Sequence, residues 1–570
     1  MKIKHFFGLA VLAAMTASCS SNNELVNGGN GSGENESGVG YASFSINLPT
    51  TRGTRATDPT FDKGDAKEYD VFNATLLVFK KGEGNYTLAE TVDLGSMEPW
   101  KDPNKTGVTT QAKITAKLEN VDKNDKYFAL VLLNNGSGTD AKVTLPSEGD
   151  KFSDWNVAAK ANPDNFTDTK KGFYMANAPL YNATDKNVTT LVAIDKNKIF
   201  PTEAQASSGE AAADIYVERG LAKVTLTDDT KNEIPVGTSS SYAGDKVKIS
   251  NWALDVTNKK TFPIHNVDGL TEDYATIWNN DAATIPGEAS NQRFVDNNES
   301  TKAKRVYWGV DPNYKENALC DVAGTTAREE NFNYIKKEKL TAKPTDPLYC
   351  LENTFNLENM KQGQTTRVIF KASYTPKDFT AADGKTFYKV GTSVALWSQK
   401  NLEDHIKAAV SKVISVTTTD DITINLAAEG NNITTAGNHV IEASNITVAG
   451  HVVKPEEVKA VNEKVGLTEK AGISTYANGE SYYIARIKHF GDDLTPWNSG
   501  ETYNDNLKYL GRYGMLRNNW YVLDVQSVSG PGYPDVPEVK PNTPDDEDDK
   551  YIKVSVKILD WAKRSQSVDL

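Results

Sequence analysis

The residues able to do chemistry are few and do not converge. Six histidines (His5, His265, His405, His439, His451 and His489) are scattered, with no HExxH or CxxC among them, which excludes the usual zinc spacings. The segment "SVALWSQKN" holds serines not far from His405, but no GxSxG elbow or oxyanion-hole signature accompanies them. No pair of carboxylates stands in a context that suggests glycoside hydrolysis. The acidic run "DDEDD" (Asp545 to Asp549) lacks the spaced ligands and the glycine of a calcium loop and reads as a solvated spacer. The pattern therefore predicts no enzyme, cofactor or metal. What remains is chemistry done to the chain: in "YASFSINLPTTRGTRAT" (residues 41–57) a strand-like run leads directly into Arg52-Gly53 and Arg55-Ala56, arginines that a trypsin-like protease would accept.

Cys19 is a second such target. Lys2 and Lys4 precede the apolar run Phe6 to Met15 and then small residues, the three-part layout of a secretory signal, with an apolar stretch too short to span a bilayer comfortably. The following "TASCSS" resembles the lipobox of bacterial lipoproteins, in which the signal (residues 1–18) is removed and the cysteine takes lipid; Thr16 stands where the commonest lipobox has leucine. No later segment is apolar enough to cross a membrane, so attachment would be through Cys19. Cys320 and Cys350 are a possible disulfide pair in an exported protein, although spacing alone does not establish it.

The elements that position these sites are mainly strands. The chain has 570 residues, too many for one ordinary core, with 38% hydrophobic and 24% charged residues. Tyr, Thr, Val and Asn are plentiful and long 3.6-period patterns few. A net charge of −13 argues against nucleic acid and anionic membrane surfaces.

A Gly/Asn/Ser tether follows Cys19, and Ala42, Phe44, Ile46 and Leu48 then alternate with polar residues as a first strand; residues 19–55 are read as a lipidated tether and removable strand. Residues 56–228 are expected to form a β-sandwich, with "FALVLL" covered on both faces and the run 214–228 bending at Gly220. Residues 229–530 form a second β-rich domain with two surface helices laid on a sheet, one near 401–413 and one from Pro455 to Gly466.

Residues 531–570 change character. "PGYPDVPEVKPNTPDDEDD" is expected not to pack, and beyond this flexible arm Ile552, Val554, Val556 and Ile558 alternate with Lys553, Ser555 and Lys557 as a detached strand. Such a strand is costly unless its apolar face is buried and its backbone paired. The other reading of this stretch is the domain's own last strand, folded back locally.

Taken together, the Cys19 signal, the arginines after the first strand, "VERGLAKV", "FALVLLNN", "VIFKASYTPK", "LRNNWYVLDVQSVSGPG" and the terminal "ILDWAKRSQSVDL" resemble the fimbrillins of type V pili of Bacteroidales, and among them the major structural subunits of short (minor) fimbriae. The resemblance spans the whole chain, weakly in the middle. It implies two transthyretin-like or β-sandwich domains and a lipidated precursor at the outer membrane. An arginine-specific or trypsin-like protease would cut at Arg55-Ala56, with Arg52-Gly53 as second choice. The terminal strand of a neighbouring copy would then fill the vacated groove, producing extracellular fimbriae for adhesion and biofilm formation. Implied partners are further copies of the chain, accessory fimbrial subunits, the protease, and host or bacterial surface receptors. Burying four aliphatic side chains at about 1.5–3 kcal/mol each makes such a strand a plausible joint. The alternatives are a tip adhesin of the same family and a surface glycan-binding lipoprotein, for which the nine dispersed tryptophans give little support.

Overall fold

The computed structural model describes residues 39–47, 68, 70–97, 111–122, 124–168, 170–182, 187–267, 304–306, 308–314, 325–468, 471–490, 495–498, 500–503, 509–540, 542–547 and 552–560. The chain begins there with β1 (Gly40–Asn47), whose alternation places Ala42, Phe44 and Ile46 on one face, all three fully buried. Next come β2 (Val71–Lys81), β3 (Tyr86–Met97), β4 (Gln111–Leu118), β5 (Tyr127–Leu133), β6 (Met175–Asn177), β7 (Ile199–Phe200), helix α1 (Glu203–Ser208) and β8 (Ala213–Arg219). They pair in the order β7-β1-β8-β6-β5-β2-β3, with β4 also on β1.

This array folds on itself at β8. Residues 213–216 run parallel to β1, whereas residues 217–219 run antiparallel to β6. The two halves therefore face each other, and Phe44 and Ile46 of β1 and Leu118 of β4 pack in one core with Leu76 and Val78 of β2 and Val131 and Leu133 of β5. The other face of β2 and β5 is covered too: Leu77, Phe79, Leu130 and Leu132 meet Phe166, Tyr174 and Leu351. That double cover explains why β5 reads as a continuous apolar run.

A second sandwich follows, from β9 (Ala222–Leu226), β10 (Glu233–Pro235), β11 (Lys246–Asp255), β12 (Leu348–Cys350), β13 (Arg367–Thr375), β14 (Glu480–Arg486), β15 (Asn519–Val528) and β16 (Ile552–Asp560). The sheet β12-β9-β15-β16 packs on the sheet β10-β11-β13-β14 through Val224, Leu226, Tyr521, Leu523 and Val525 against Ile249, Trp252, Phe370 and Ala372. Helices α2 (Gln399–Val413) and α3 (Pro455–Val465) pack with Tyr388, Val390 and Ile473 of a smaller four-stranded sheet, and Gly466 ends α3 in the left-handed conformation at φ 91°.

Two expectations are corrected. The run 214–228 is not one bent strand. It is divided at Gly220 between β8 of the first sandwich and β9 of the second, because Arg219 N–H is taken by the side chain of Asn518 while Asn518 N–H is taken by Leu221. The Pro/Asp arm, in turn, does pack. Tyr533 exchanges backbone hydrogen bonds with Tyr482, Arg367 donates to the Pro537 carbonyl at 3.0 Å, and Gln362 N–H donates to Thr543 at 3.0 Å. A proline-rich segment lacks the donors for a regular ladder, yet its carbonyls still accept from a neighbouring sheet.

Phe44→Ala should destabilise the uncut chain by about 3–5 kcal/mol, because the cavity opens in the middle of the first core. Denaturant unfolding of the first sandwich, followed by a local probe, measures it.

Candidate assembly site

β1 is an interior strand. Along one edge all eight of its residues pair with β4, from Gly40 opposite Leu118 to Asn47 opposite Gln111. Along the other, Tyr41 and Ala42 pair with β7, and Phe44 to Asn47 pair with β8. The face opposite the core is closed by α1: Ser43 Oγ donates to the Ala206 carbonyl at 2.7 Å and meets Thr115 Oγ1 at 2.8 Å. Ser43 is 0% and Ser45 2% exposed. Without this strand, β4 and β8 would each lose a row of partners and the core its Phe44 and Ile46 side chains.

The chain is fixed again soon after the arginines. Glu68 Oε1 accepts from Lys223 Nζ and from Tyr349 OH, both at 2.7 Å, and Arg219 Nε donates to the Glu68 carbonyl at 2.8 Å. Burial alone would raise the Glu68 carboxyl, but Lys223, Tyr349 and Arg219 outweigh it and hold it below its ordinary value. Lys223 also lies 3.9 Å from the ring centroid of Trp520. The knot joins the start of β2 to β9, β12 and β15.

At the other end, β16 is the outer strand of its sheet, antiparallel to β15, with Ile552, Val554, Val556 and Ile558 opposite Val528, Val525, Leu523 and Tyr521. The expected detached strand is thus docked on its own chain. Immediately before it, Asp545 and Asp546, expected in a solvated spacer, are seated in a cradle. Arg512 holds Asp546 by two hydrogen bonds of 2.7 Å, from Nε to Oδ2 and from a terminal guanidinium nitrogen to Oδ1. Tyr513 OH donates to Oδ1 at 2.7 Å and Tyr503 OH to Oδ2 at 2.5 Å, while Thr365 Oγ1 donates to Asp545 at 2.5 Å. Burial would raise the Asp546 carboxyl; Arg512 and the two tyrosines overcome it and hold it low.

Of the residues singled out in the sequence, Cys19, Arg52, Gly53, Arg55, Ala56 and Cys320 lie outside the described residues. Cys350 is a free thiol, fully buried, and burial pushes it up to about 12. Glu68 and Arg512 carry no local signal in the sequence, and Asp545 and Asp546, expected in a solvated spacer, are held by hydrogen bonds instead. The arginine and tyrosines that receive Asp546 stand more than thirty residues upstream, so local pattern gives no sign of the cradle.

Residues 474–567, which contain β14, β15, the arm and β16, match the family described as major fimbrial subunit protein type IV, fimbrillin, C-terminal. The C-terminal region is thus similar to that of fimbrillins. Among solved structures, a candidate cell adhesion protein from Parabacteroides distasonis is 11% identical, with 92% of this chain and 99% of that chain covered at a TM-score of 0.37. A second crystal structure of a candidate cell adhesion protein from the same organism gives 11%, 91%, 99% and 0.35. Comparison with curated proteins gives no match. The matched region holds both sides of the arm cradle, Arg512 and Asp546, together with the strand that follows.

Asp546→Asn should loosen the arm by roughly 3–5 kcal/mol, since a buried guanidinium loses its charged partner; hydrogen exchange over residues 531–547 reads it. Because the folded carboxyl lies below its ordinary 3.8, its contribution is whole at neutral pH and is lost as pH falls below about 4. The wild-type arm should therefore open in that acidic range, and the variant arm should show no further acid step.

Proposed function

We propose that this fimbrillin is a structural pilin that polymerises head to tail by strand exchange. It is exported as a precursor lipidated at Cys19 on the outer membrane, and a trypsin-like or arginine-specific protease cuts it at Arg55-Ala56 or, second, at Arg52-Gly53. The cut frees β1 from the body, and β16 of a neighbouring copy takes its place. Repetition gives a surface filament that carries adhesion and biofilm formation, with accessory subunits and surface receptors as further partners.

One observation carries the reading. A strand with a fully buried apolar face, paired along both edges, is joined to the body only through the arginine-bearing segment, while a strand of the same alternation ends the chain as an outer strand. The first is the placeholder and the second its replacement. The fimbrillin match over residues 474–567 supports it, since the described family is one of fimbrial subunits. Glu68 would keep the new N-terminal segment anchored to the body after cleavage. A head-to-tail contact of this kind does not close on itself, so its product is a filament. Docking still costs rigid-body freedom, and β16 must first leave β15, so only the surplus over those terms holds the fibre.

Trypsin treatment of the purified precursor should give a chain beginning at Ala56 together with SDS-resistant ladders. Deleting residues 551–570 should remove the ladders while leaving a cooperatively folding monomer; ladders from the truncated chain would show that the donor lies elsewhere. Val556→Asp should lower fibre yield at least tenfold, because a carboxylate would enter an apolar slot. Phe44→Ala, which weakens the precursor, should leave the stability of finished fibres unchanged once β1 has gone.

A further inference from the structure

We propose that Ser555 fixes the register of the joint by taking the position of Ser43 beneath α1. The inference rests on the strand-exchange reading and adds to it which residue of the incoming strand stands where.

The slot is asymmetric in depth on its outer side. At position 43 there is room for a hydroxymethyl group only, because Ala206 and Thr115 both lie within hydrogen-bond distance of Ser43 Oγ. The cover is itself fastened, with Thr115 Oγ1 3.1 Å from Ser207 Oγ and Lys113 Nζ donating to the Ser207 carbonyl at 2.8 Å. Position 45 differs. The side-chain nitrogen of Asn47 lies 3.3 Å from Ser45 Oγ, and Asn47 would leave with β1. The partner of Ser45 on β8 is Asp214, which is exposed. A lysine at position 45 would stand between Asp214 of β8 and Lys113 of β4, whose ammonium is already turned onto the Ser207 and Gly209 carbonyls, whereas a lysine at 43 would drive an ammonium and its stem under a helix.

The terminal strand offers one small residue on its polar face. In Lys553-Val554-Ser555-Val556-Lys557, serine is flanked symmetrically by valines and then lysines. With Ser555 at 43, the valines take positions 42 and 44 and one lysine takes position 45 beside Asp214. The sequence reads the same from either end, so this assignment holds whether the strand enters parallel or antiparallel to β1. A slip by two residues in either direction puts a lysine beneath α1. At the slot's end, a side chain in place of Gly40 meets Ile199 Cγ2, which must rotate away.

The test is disulfide trapping in trypsin-processed full chains that carry Thr115→Cys together with one of Ser555→Cys, Lys553→Cys or Lys557→Cys, read as ladders that survive boiling without reductant. The expected result is a ladder at least tenfold stronger with Ser555→Cys than with either lysine position. A dominant product from Lys553→Cys or Lys557→Cys would overturn the register but keep the exchange. If heat-labile ladders form and none of the three pairs is trapped, the strand or the slot is misassigned and the proposed function falls with the register. Independently, Ser555→Ala should assemble as the parent does. Ser555→Lys should lose assembly at least tenfold with an unchanged monomer melting profile, and parental assembly of that variant would overturn the proposal.

Discussion

The constraint on which the molecule depends is the two-sided pairing of β1. An outer strand can leave a sheet and expose one row of backbone groups; an interior strand cannot leave without orphaning two rows and opening the core behind it. Here the strand that sits innermost, between β4 on one side and β7 and β8 on the other, is also the one joined in sequence to the body by a polar segment with two arginines. Its loss would be tolerable only if an equivalent strand arrives. Under the proposed strand exchange, that requirement would couple the first sandwich of one copy to the terminal strand of another.

The second sandwich handles the converse difficulty. An unpaired, half-apolar terminal strand invites indiscriminate pairing, and docking β16 on β15 satisfies one row of its backbone groups. The arm cradle serves the same end by holding the chain to the body just before the strand begins. Asp546 is held by a bidentate guanidinium and two phenols, a set that can retain a carboxylate away from water. Such a cradle sets where the strand starts, and so how far from the body it can reach.

The two sandwiches are joined by charge as well as by packing. Glu68 pulls together Lys223, Tyr349 and Arg219, and a second buried group links His265 Nδ1 to Glu218 at 2.6 Å and Arg517 Nε to Glu352 at 3.2 Å. Groups of this kind are costly to separate one at a time, which would hold the body in shape during the proposed exchange of its first strand. The division at Gly220 belongs to the same design: one extended segment serves both sandwiches.

The sequence by itself determined the strands and their faces. Alternation of period two marks β1 and β16, the unbroken apolar run marks β5 as covered on both sides, and proline and glycine at the ends of α3 place that helix to within a residue, because these signals are local consequences of backbone geometry. It also exposed the arginines between strand and body. Only the tertiary structure decided that β1 is interior, that residues 214–228 are shared between two sandwiches, that the Pro/Asp arm is seated rather than loose, and that position 43 is closed by a helix. Each of these depends on partners distant in the chain, such as Asn518 for Arg219, Arg512 for Asp546 and Ala206 for Ser43, and no local pattern encodes which distant group will supply a hydrogen bond.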